Sequence, residues 1–190
     1  MEDPRIVERA QLCDEVNTIS DSNLQSFVKD AMRQIPDKFW EIAASSTGKH
    51  HPEQSNGEGG LVRHVLAGLY FVRELCITYD AIEGERDCCI AAMILHDVGK
   101  AIAEPHDIVW ANSLRYLAKN VYDNELVHTT IGAVRWHMGP WSTGSTMCQF
   151  AERGHKRFPQ DFNLVEQVVH LADYAASRKR VNLTKLGGLA

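Results

Sequence analysis

The run His-Asp-Val-Gly-Lys at residues 96–100 directly follows eight residues, 88–95, whose only polar side chains are two thiols. A segment that is apolar on all sides is typical of a buried element, whether helix or strand. An imidazole and a carboxylate at the end of such an element leave water at a high cost unless a partner compensates for it. A divalent cation is one such partner, because both groups are metal ligands. The alternative is that His96 only hydrogen-bonds Asp97 or another neighbour at a helix end.

Helical periodicity dominates the chain, and no segment alternates as a strand does. We predict helices over 5–19, 22–35, 37–45, 61–79, 84–95, 106–120, 123–137 and 164–177, with Asp21 or Ser22 and Asp123 as caps. About seven or eight helices indicate an all-α bundle. We expect one domain over 1–180 and a poorly ordered tail over 181–190. The polar loop 45–60 is long enough to suggest a function or disorder, and 139–160 reads as irregular.

Charge and cysteine usage restrict the classes of partner. Twenty Lys and Arg against 25 Asp and Glu give a net charge of -5, which argues mildly against a surface that coats nucleic acid. The five cysteines are odd in number and lack C-x-x-C spacing, so neither a disulfide framework nor a zinc knuckle fits. Free thiols suggest a reducing compartment. Since we find no signal peptide and no apolar run of about 20 residues, we predict a cytoplasmic protein without membrane contact.

Two further polar residues lie in apolar helical patterns. His64 is near the start of the helix predicted over 61–79, and Asp173 lies within the last helix. Alone, each has an ordinary explanation, and a single histidine in such a place is more often a hydrogen-bonded core residue. A carboxylate on an apolar helix needs a cation, however, and positions 169, 172 and 176 offer no Lys or Arg. Three helices that each present such a residue are what a helical metal site requires.

The segments GGLVRHVLAG, AAMILHDVGK and VVHLADYAASR together resemble the HD-domain metal-dependent phosphohydrolases. The resemblance covers about residues 45–180, and the flanking residues are most similar to the HD domains of bacterial exoribonucleases and of small dinucleotide hydrolases. It implies a helical bundle, hydrolysis of phosphate esters, and a metal site. The positions that match the family's ligands are His64, His96, Asp97 and Asp173.

Two imidazoles and two carboxylates suit Mn, Fe, Co, Ni or Zn, with Mg as a further candidate. Such an ion lowers the pKa of a bound water and polarises a phosphoryl oxygen. Asp97 is then both a ligand and a proton acceptor. We expect Lys100, about one helical turn further on, to meet phosphate charge. The alternative is that Lys100 is a solvated lysine after a glycine turn.

Other residues are candidates for substrate binding. Arg63 could clamp a phosphate, although a neighbour of His64 points to a different face of the helix. His50 and His51 lie in the 45–60 loop and are expected to line the pocket.

His128 and His137 lie where some HD enzymes carry the ligands of a second ion. Nine residues at about 100° each make about 900°, which puts the two side chains on opposite faces of a straight helix. We therefore expect at most one of them in the pocket, and one tightly held ion. We interpret His106 as a structural histidine.

The sequence thus predicts a metal-dependent phosphohydrolase acting on a small phosphorylated substrate, most plausibly a nucleotide. A nuclease that trims RNA or single-stranded DNA is the main alternative, and the acidic balance and lack of an oligonucleotide-binding domain count against it. A catalytically silent, metal-binding nucleotide sensor is the third hypothesis, which the complete ligand set does not favour. The sequence leaves the metal, the exact substrate and the oligomeric state open.

Overall fold

The computed structural model describes residues 4–49, 51–119, 121–122, 124–139 and 159–179. These residues contain α-helices and short 3-10 turns but no strand, which confirms the predicted all-α class. The α-helices are α1 (Pro4–Asn17), α2 (Ser22–Met32), α3 (Gly60–Thr78), α4 (Glu83–Leu95), α5 (His106–Ala118), α6 (Glu125–Trp136) and α7 (Leu164–Ala176).

Side-chain caps fix several helix starts. The Asp21 side chain accepts a hydrogen bond from the Leu24 amide at 2.7 Å, as predicted for α2. The cap of α6 lies one residue later than predicted, because Asn124 accepts from the Val127 amide at 2.9 Å. The predicted cap, Asp123, lies outside the described residues.

The helix predicted over 37–45 is only a 3-10 turn, Asp37–Trp40. The backbone after it pairs with the following loop instead of continuing as a helix. The Gly59 amide donates to the Glu41 carbonyl at 3.1 Å, and the Leu61 amide donates to the Ile42 carbonyl at 3.0 Å. The loop is thereby held against the start of α3.

Helix α4 lies in the centre of the bundle and packs against α3, α6 and α7. Cys88, Cys89 and residues 91–95 are buried, as the apolar run predicts. Because α4 is enclosed, residues 96–100, which follow it, lie in the interior. Helices α3, α5, α6 and α7 approach them there.

Within the described residues, no helix combines the length and the apolar character that crossing a membrane requires.

Candidate metal centre

The structure brings the four expected metal ligands together. His64 comes from α3, His96 and Asp97 follow α4, and Asp173 comes from α7. The Nε2 atom of His64 lies 3.0 Å from Oδ1 of Asp173 and 3.6 Å from Oδ2 of Asp97. The Nε2 atom of His96 lies 3.2 Å from Oδ2 of Asp97. One ligand atom from each residue lies within 4.8 Å of the others, so the group could hold one ion.

A second group adjoins the first and shares Asp97 with it. His106, the first residue of α5, places Nε2 3.4 Å from Oδ1 of Asp97. His137, directly after α6, places Nε2 3.5 Å from the same oxygen. Asp97, His106 and His137 also have ligand atoms within 4.8 Å of one another. The carboxylate of Asp97 therefore presents one oxygen to each group.

Hydrogen bonds donated by Nδ1 fix the orientation of three imidazoles. Nδ1 of His96 donates to the Met93 carbonyl at 2.8 Å, and Nδ1 of His137 donates to the Val134 carbonyl at 2.7 Å. Nδ1 of His106 donates to the Glu104 carboxylate at 3.2 Å. With the proton on Nδ1, the neutral ring keeps a lone pair on Nε2, which is the arrangement found in metal-ligating histidines.

Four buried atoms at the centre have no hydrogen-bond partner among the described residues. They are Nε2 of His96, His106 and His137 and Oδ1 of Asp97. In the tautomers set by Nδ1, all four atoms are acceptors, and acceptors alone cannot satisfy one another. Buried polar atoms are normally paired, so this cluster requires a cation as its partner. Nitrogen and carboxylate-oxygen donors fit a borderline divalent ion.

Both carboxylates are held in their charged form. Burial acts to raise the pKa of Asp97, but the Lys100 ammonium and the neighbouring imidazoles hold it well below its usual range. Burial also acts to raise the pKa of Asp173, yet the hydrogen bond that its carboxylate accepts from His64 lowers it. Ionised carboxylates are the form that binds metal.

Lys100 contacts the shared carboxylate directly. Its Nζ donates to Oδ2 of Asp97 at 2.6 Å and to the Ala44 carbonyl at 3.2 Å. The helix does not continue to Lys100, because Val98–Ala101 forms a 3-10 turn. Burial acts to lower the pKa of Lys100, but the carboxylates of Asp97 and Asp173 raise it above its ordinary value.

Gly99 permits the close approach of α5 to this turn. A Cβ atom at position 99 would lie 2.1 Å from the carbonyl oxygen of His106, a backbone atom that cannot rotate away. Only glycine fits there without a backbone shift, and its absent side chain is what lets His106 reach Asp97.

A cleft of about 500 Å³ opens beside the two groups. Ligands of both groups, Asp173 and His137, lie in its wall. The remaining lining residues are His51, Met138, His170, Tyr174, Ser177 and Arg178. A small molecule in this cleft would therefore reach both groups of ligands.

The sequence pattern of the HD domain matches residues 61–177 of this chain, which is more than half of its length. The chain belongs to the HD domain family. Members of this family bind divalent metals and are mostly metal-dependent hydrolases.

Three curated relatives are similar to part of this HD domain. Each is a 3'-5' exoribonuclease YhaM from Listeria monocytogenes, of strains CLIP80459 and F2365 (serotype 4b) and EGD-e (serovar 1/2a). Each is 27% identical to this chain over 100 residues, which cover 50% of this chain and 30% of the relative. The match thus spans less than a third of the relatives' length. No solved structure was found to match the chain.

Two of the residues expected to bind substrate, Arg63 and His128, lie away from the cleft. Arg63 donates to Glu8 at 2.8 Å and to the carbonyls of Gln54 and Glu58 at 2.5 and 2.6 Å, so it fastens the loop to α1 and lies outside the cleft lining. His128 lies on the exposed side of α6, away from His137. His50 lies outside the described residues.

His51 is the loop residue that lies at the cleft. Its ring centre is 5.3 Å from that of His64, and its Nε2 is 3.4 Å from Oγ of Ser177. Burial, with the nearby charges of His64 and Lys100, lowers the pKa of His51 to about 4. His51 therefore meets the cleft as a neutral imidazole near neutral pH.

Sequence reasoning missed His106, which we interpreted as a structural histidine. A signal was present, since His106, Trp110 and Leu114 recur every four residues and all three are buried. That spacing puts His106 on the inner face of α5. The same spacing does not reveal that the helix begins beside Asp97, which depends on the turn at Gly99.

Proposed function

We propose that this HD domain is a phosphohydrolase that cleaves a phosphate ester of a nucleotide or another small phosphorylated molecule at a two-ion centre. The observation that carries the proposal is the set of four buried, unpaired acceptor atoms around Asp97, beside a cleft open to substrate. Such a set would destabilise the fold unless a cation bound there, so its presence favours a functional site.

His64, His96, Asp97 and Asp173 would hold the first ion, and Asp97, His106 and His137 the second. The second group weighs against the single ion expected from the sequence, because His106 supplies the ligand that His128 does not. Mn, Fe, Co, Ni or Zn suits these donors. Divalent ions in such a centre lower the pKa of water and neutralise charge on a phosphoryl group.

The chain's own residues have distinct proposed roles. Asp97 is a ligand to both groups and a proton acceptor. Lys100 holds Oδ2 of Asp97 in place and puts a cation beside the position of the phosphoryl group. His51, as a neutral imidazole at the rim, donates to or accepts from the substrate's polar atoms.

Cleft size and charge favour a small substrate. A volume of about 500 Å³ falls in the range of about 300 to 1,000 Å³ that is usual for small-molecule sites. The net charge of -5 gives no overall attraction to a polyanion. The likeness to exoribonucleases favours the second candidate, removal of nucleotides from an RNA 3' end. The cytoplasmic location stays a prediction, in keeping with the free thiols of Cys13, Cys76, Cys88 and Cys89.

One comparison tests the proposal. Purified protein loaded with Mn²⁺ is assayed against a panel of nucleotides and against a 5'-labelled RNA oligonucleotide, with Asp97→Asn as the inactive control. We expect phosphate-ester hydrolysis with kcat/KM at least about tenfold higher on a small substrate than on RNA, and none in the variant. Faster cleavage of RNA would establish the nuclease instead. No turnover of any substrate would favour the silent sensor.

A further inference from the structure

Arg178 is a charged residue of the cleft that the metal centre does not use. Several arginines among the described residues lie against carboxylates, as Arg63 does against Glu8 and Arg135 against Asp107. The Nε atom of Arg178 is buried, yet it has no hydrogen-bond partner among the described residues. Leaving a charged donor buried and unpaired is costly. The cleft that Arg178 lines therefore offers a site for an anionic group.

Arg178 is held in position by stacking. Its guanidinium carbon lies 3.7 Å from the centre of the Tyr174 ring. This cation–π contact uses the flat face of the guanidinium and leaves its N–H edge available for hydrogen bonds. Beside it, Oγ of Ser177 lies 3.4 Å from Nε2 of His51, which adds two polar groups to the same wall. An arginine edge with adjacent hydroxyl and imidazole groups matches the oxygens of a phosphate.

The position of Arg178 differs from that of the reacting group. Lys100, the cation that touches Asp97, already lies beside the metal ligands. Arg178 follows Asp173 by five residues and lies two residues beyond Ala176, the last residue of α7. Two cations at separate parts of the site suit a substrate with two anionic groups, of which only one reacts.

We propose that Arg178 binds a second phosphate of the substrate, one that is not itself transferred to water, so that this HD domain prefers a nucleotide with at least two linked phosphates. The inference rests on the proposed function and names its substrate class. In the proposed reaction, water adds to the phosphorus of the reacting phosphate and the bond from that phosphorus to its leaving oxygen breaks. The leaving oxygen keeps the electron pair and takes up a proton, while Arg178 holds the adjacent phosphate.

The first test is kinetic and uses adenosine 5'-diphosphate and 5'-monophosphate as probes with Mn²⁺-loaded protein. We expect the diphosphate to have the higher kcat/KM, and Arg178→Ala to raise KM for the diphosphate by about 10- to 100-fold, as for loss of a charge-assisted hydrogen bond. Turnover of the monophosphate should change less than twofold. Arg178→Lys should restore part of the preference. Lys179→Ala removes an exposed neighbouring cation and should match the wild type.

Equal losses on both probes in Arg178→Ala, or a wild-type preference for the monophosphate, would overturn the inference. A second measurement is independent of turnover. Calorimetric binding of both probes is compared in Asp97→Asn and in Asp97→Asn/Arg178→Ala, where the diphosphate should lose its advantage only in the double variant. Hydrolysis of neither probe by the wild type would refute the proposed function for these esters, and the binding comparison would still decide the role of Arg178.

Discussion

His106 places its Nε2 atom 3.4 Å from Oδ1 of Asp97. The other oxygen, Oδ2, faces His64 and His96 and accepts a hydrogen bond from Lys100. The two oxygens of one buried carboxylate thus serve two groups of ligands. Asp97 occupies this position because it follows the end of the central helix α4 by two residues. The ligands around it come from α3, α5, α6 and α7 or from residues next to these helices.

Gly99→Ala should disturb the second group through the backbone. The added Cβ would meet the carbonyl oxygen of His106 at 2.1 Å, so the start of α5 must move. We expect the free energy of unfolding to fall by about 1–3 kcal/mol, as for overpacking. Chemical denaturation measures this.

Gly132→Ala is the matched control for that substitution. Its Cβ would meet only Oε1 of Glu166, at 3.6 Å, and position 132 lies inside α6. Alanine there should be neutral or stabilise by up to about 1 kcal/mol. If Gly99→Ala unfolds with the same denaturation midpoint as the wild type, α5 does not need the close approach that Gly99 permits.

Lys100→Met should weaken catalysis more than metal binding. The substitution keeps the apolar stem but removes the ammonium that holds Asp97 Oδ2. We expect kcat to fall by about 10- to 100-fold, as for loss of one stabilising charge in an active site. Lys29→Met, which removes an ammonium bonded to Gln25 on α2, is the control and should leave kcat unchanged. An unchanged kcat in Lys100→Met would show that Lys100 does not contribute to catalysis.

His128, within α6, and His137, directly after α6, are a matched pair of positions for substitution. His137 is fully buried against Asp97, whereas His128 is exposed. We expect His137→Ala to lose one metal ion per chain and most of the activity. His128→Ala should keep the wild-type metal content and activity. Competition with a chromogenic chelator measures how tightly each variant binds the metal ions. Equal effects of the two substitutions would contradict the placement of His137.

Much of this arrangement could be predicted from the sequence, because burial is periodic. The apolar pattern around His64 and Asp173 marks helix faces that must turn inward, and inward faces of packed helices converge. The angular argument also predicted that His128 and His137 would not face one cleft together.

Other features depend on tertiary contacts that no local pattern encodes. Arg63 lies beside His64 in sequence, yet Glu8, 55 residues away, and two loop carbonyls hold it outside the cleft lining. Arg178 begins a basic run, 178–180, of the kind that is usually a solvated helix end, but it stacks on Tyr174 and lies in the cleft wall.

The metal-free protein should show a pH dependence that originates at His106. Burial acts to lower the pKa of His106, but the negative charge of Asp97, whose Oδ1 lies 3.4 Å from Nε2, raises it above its ordinary value near 6.5. A raised folded-state pKa contributes stability that is present below the unfolded-state pKa and is lost as pH rises through the folded-state pKa. The substitution His106→Gln should therefore lower the free energy of unfolding, and the loss should be larger at pH 5.5 than at pH 9. Denaturation of both metal-free proteins over that range tests it, and a difference that grows with pH would contradict it.

The number of metal ions per chain tests the central claim most directly. Elemental analysis is made on wild type, His106→Ala and Asp97→Asn after loading with Mn²⁺ and removal of free ions. The shared carboxylate predicts close to two ions per chain in wild type, close to one in His106→Ala, and less than one in Asp97→Asn, with helical circular dichroism retained in all three. One ion in wild type that persists in His106→Ala would contradict the two-ion centre.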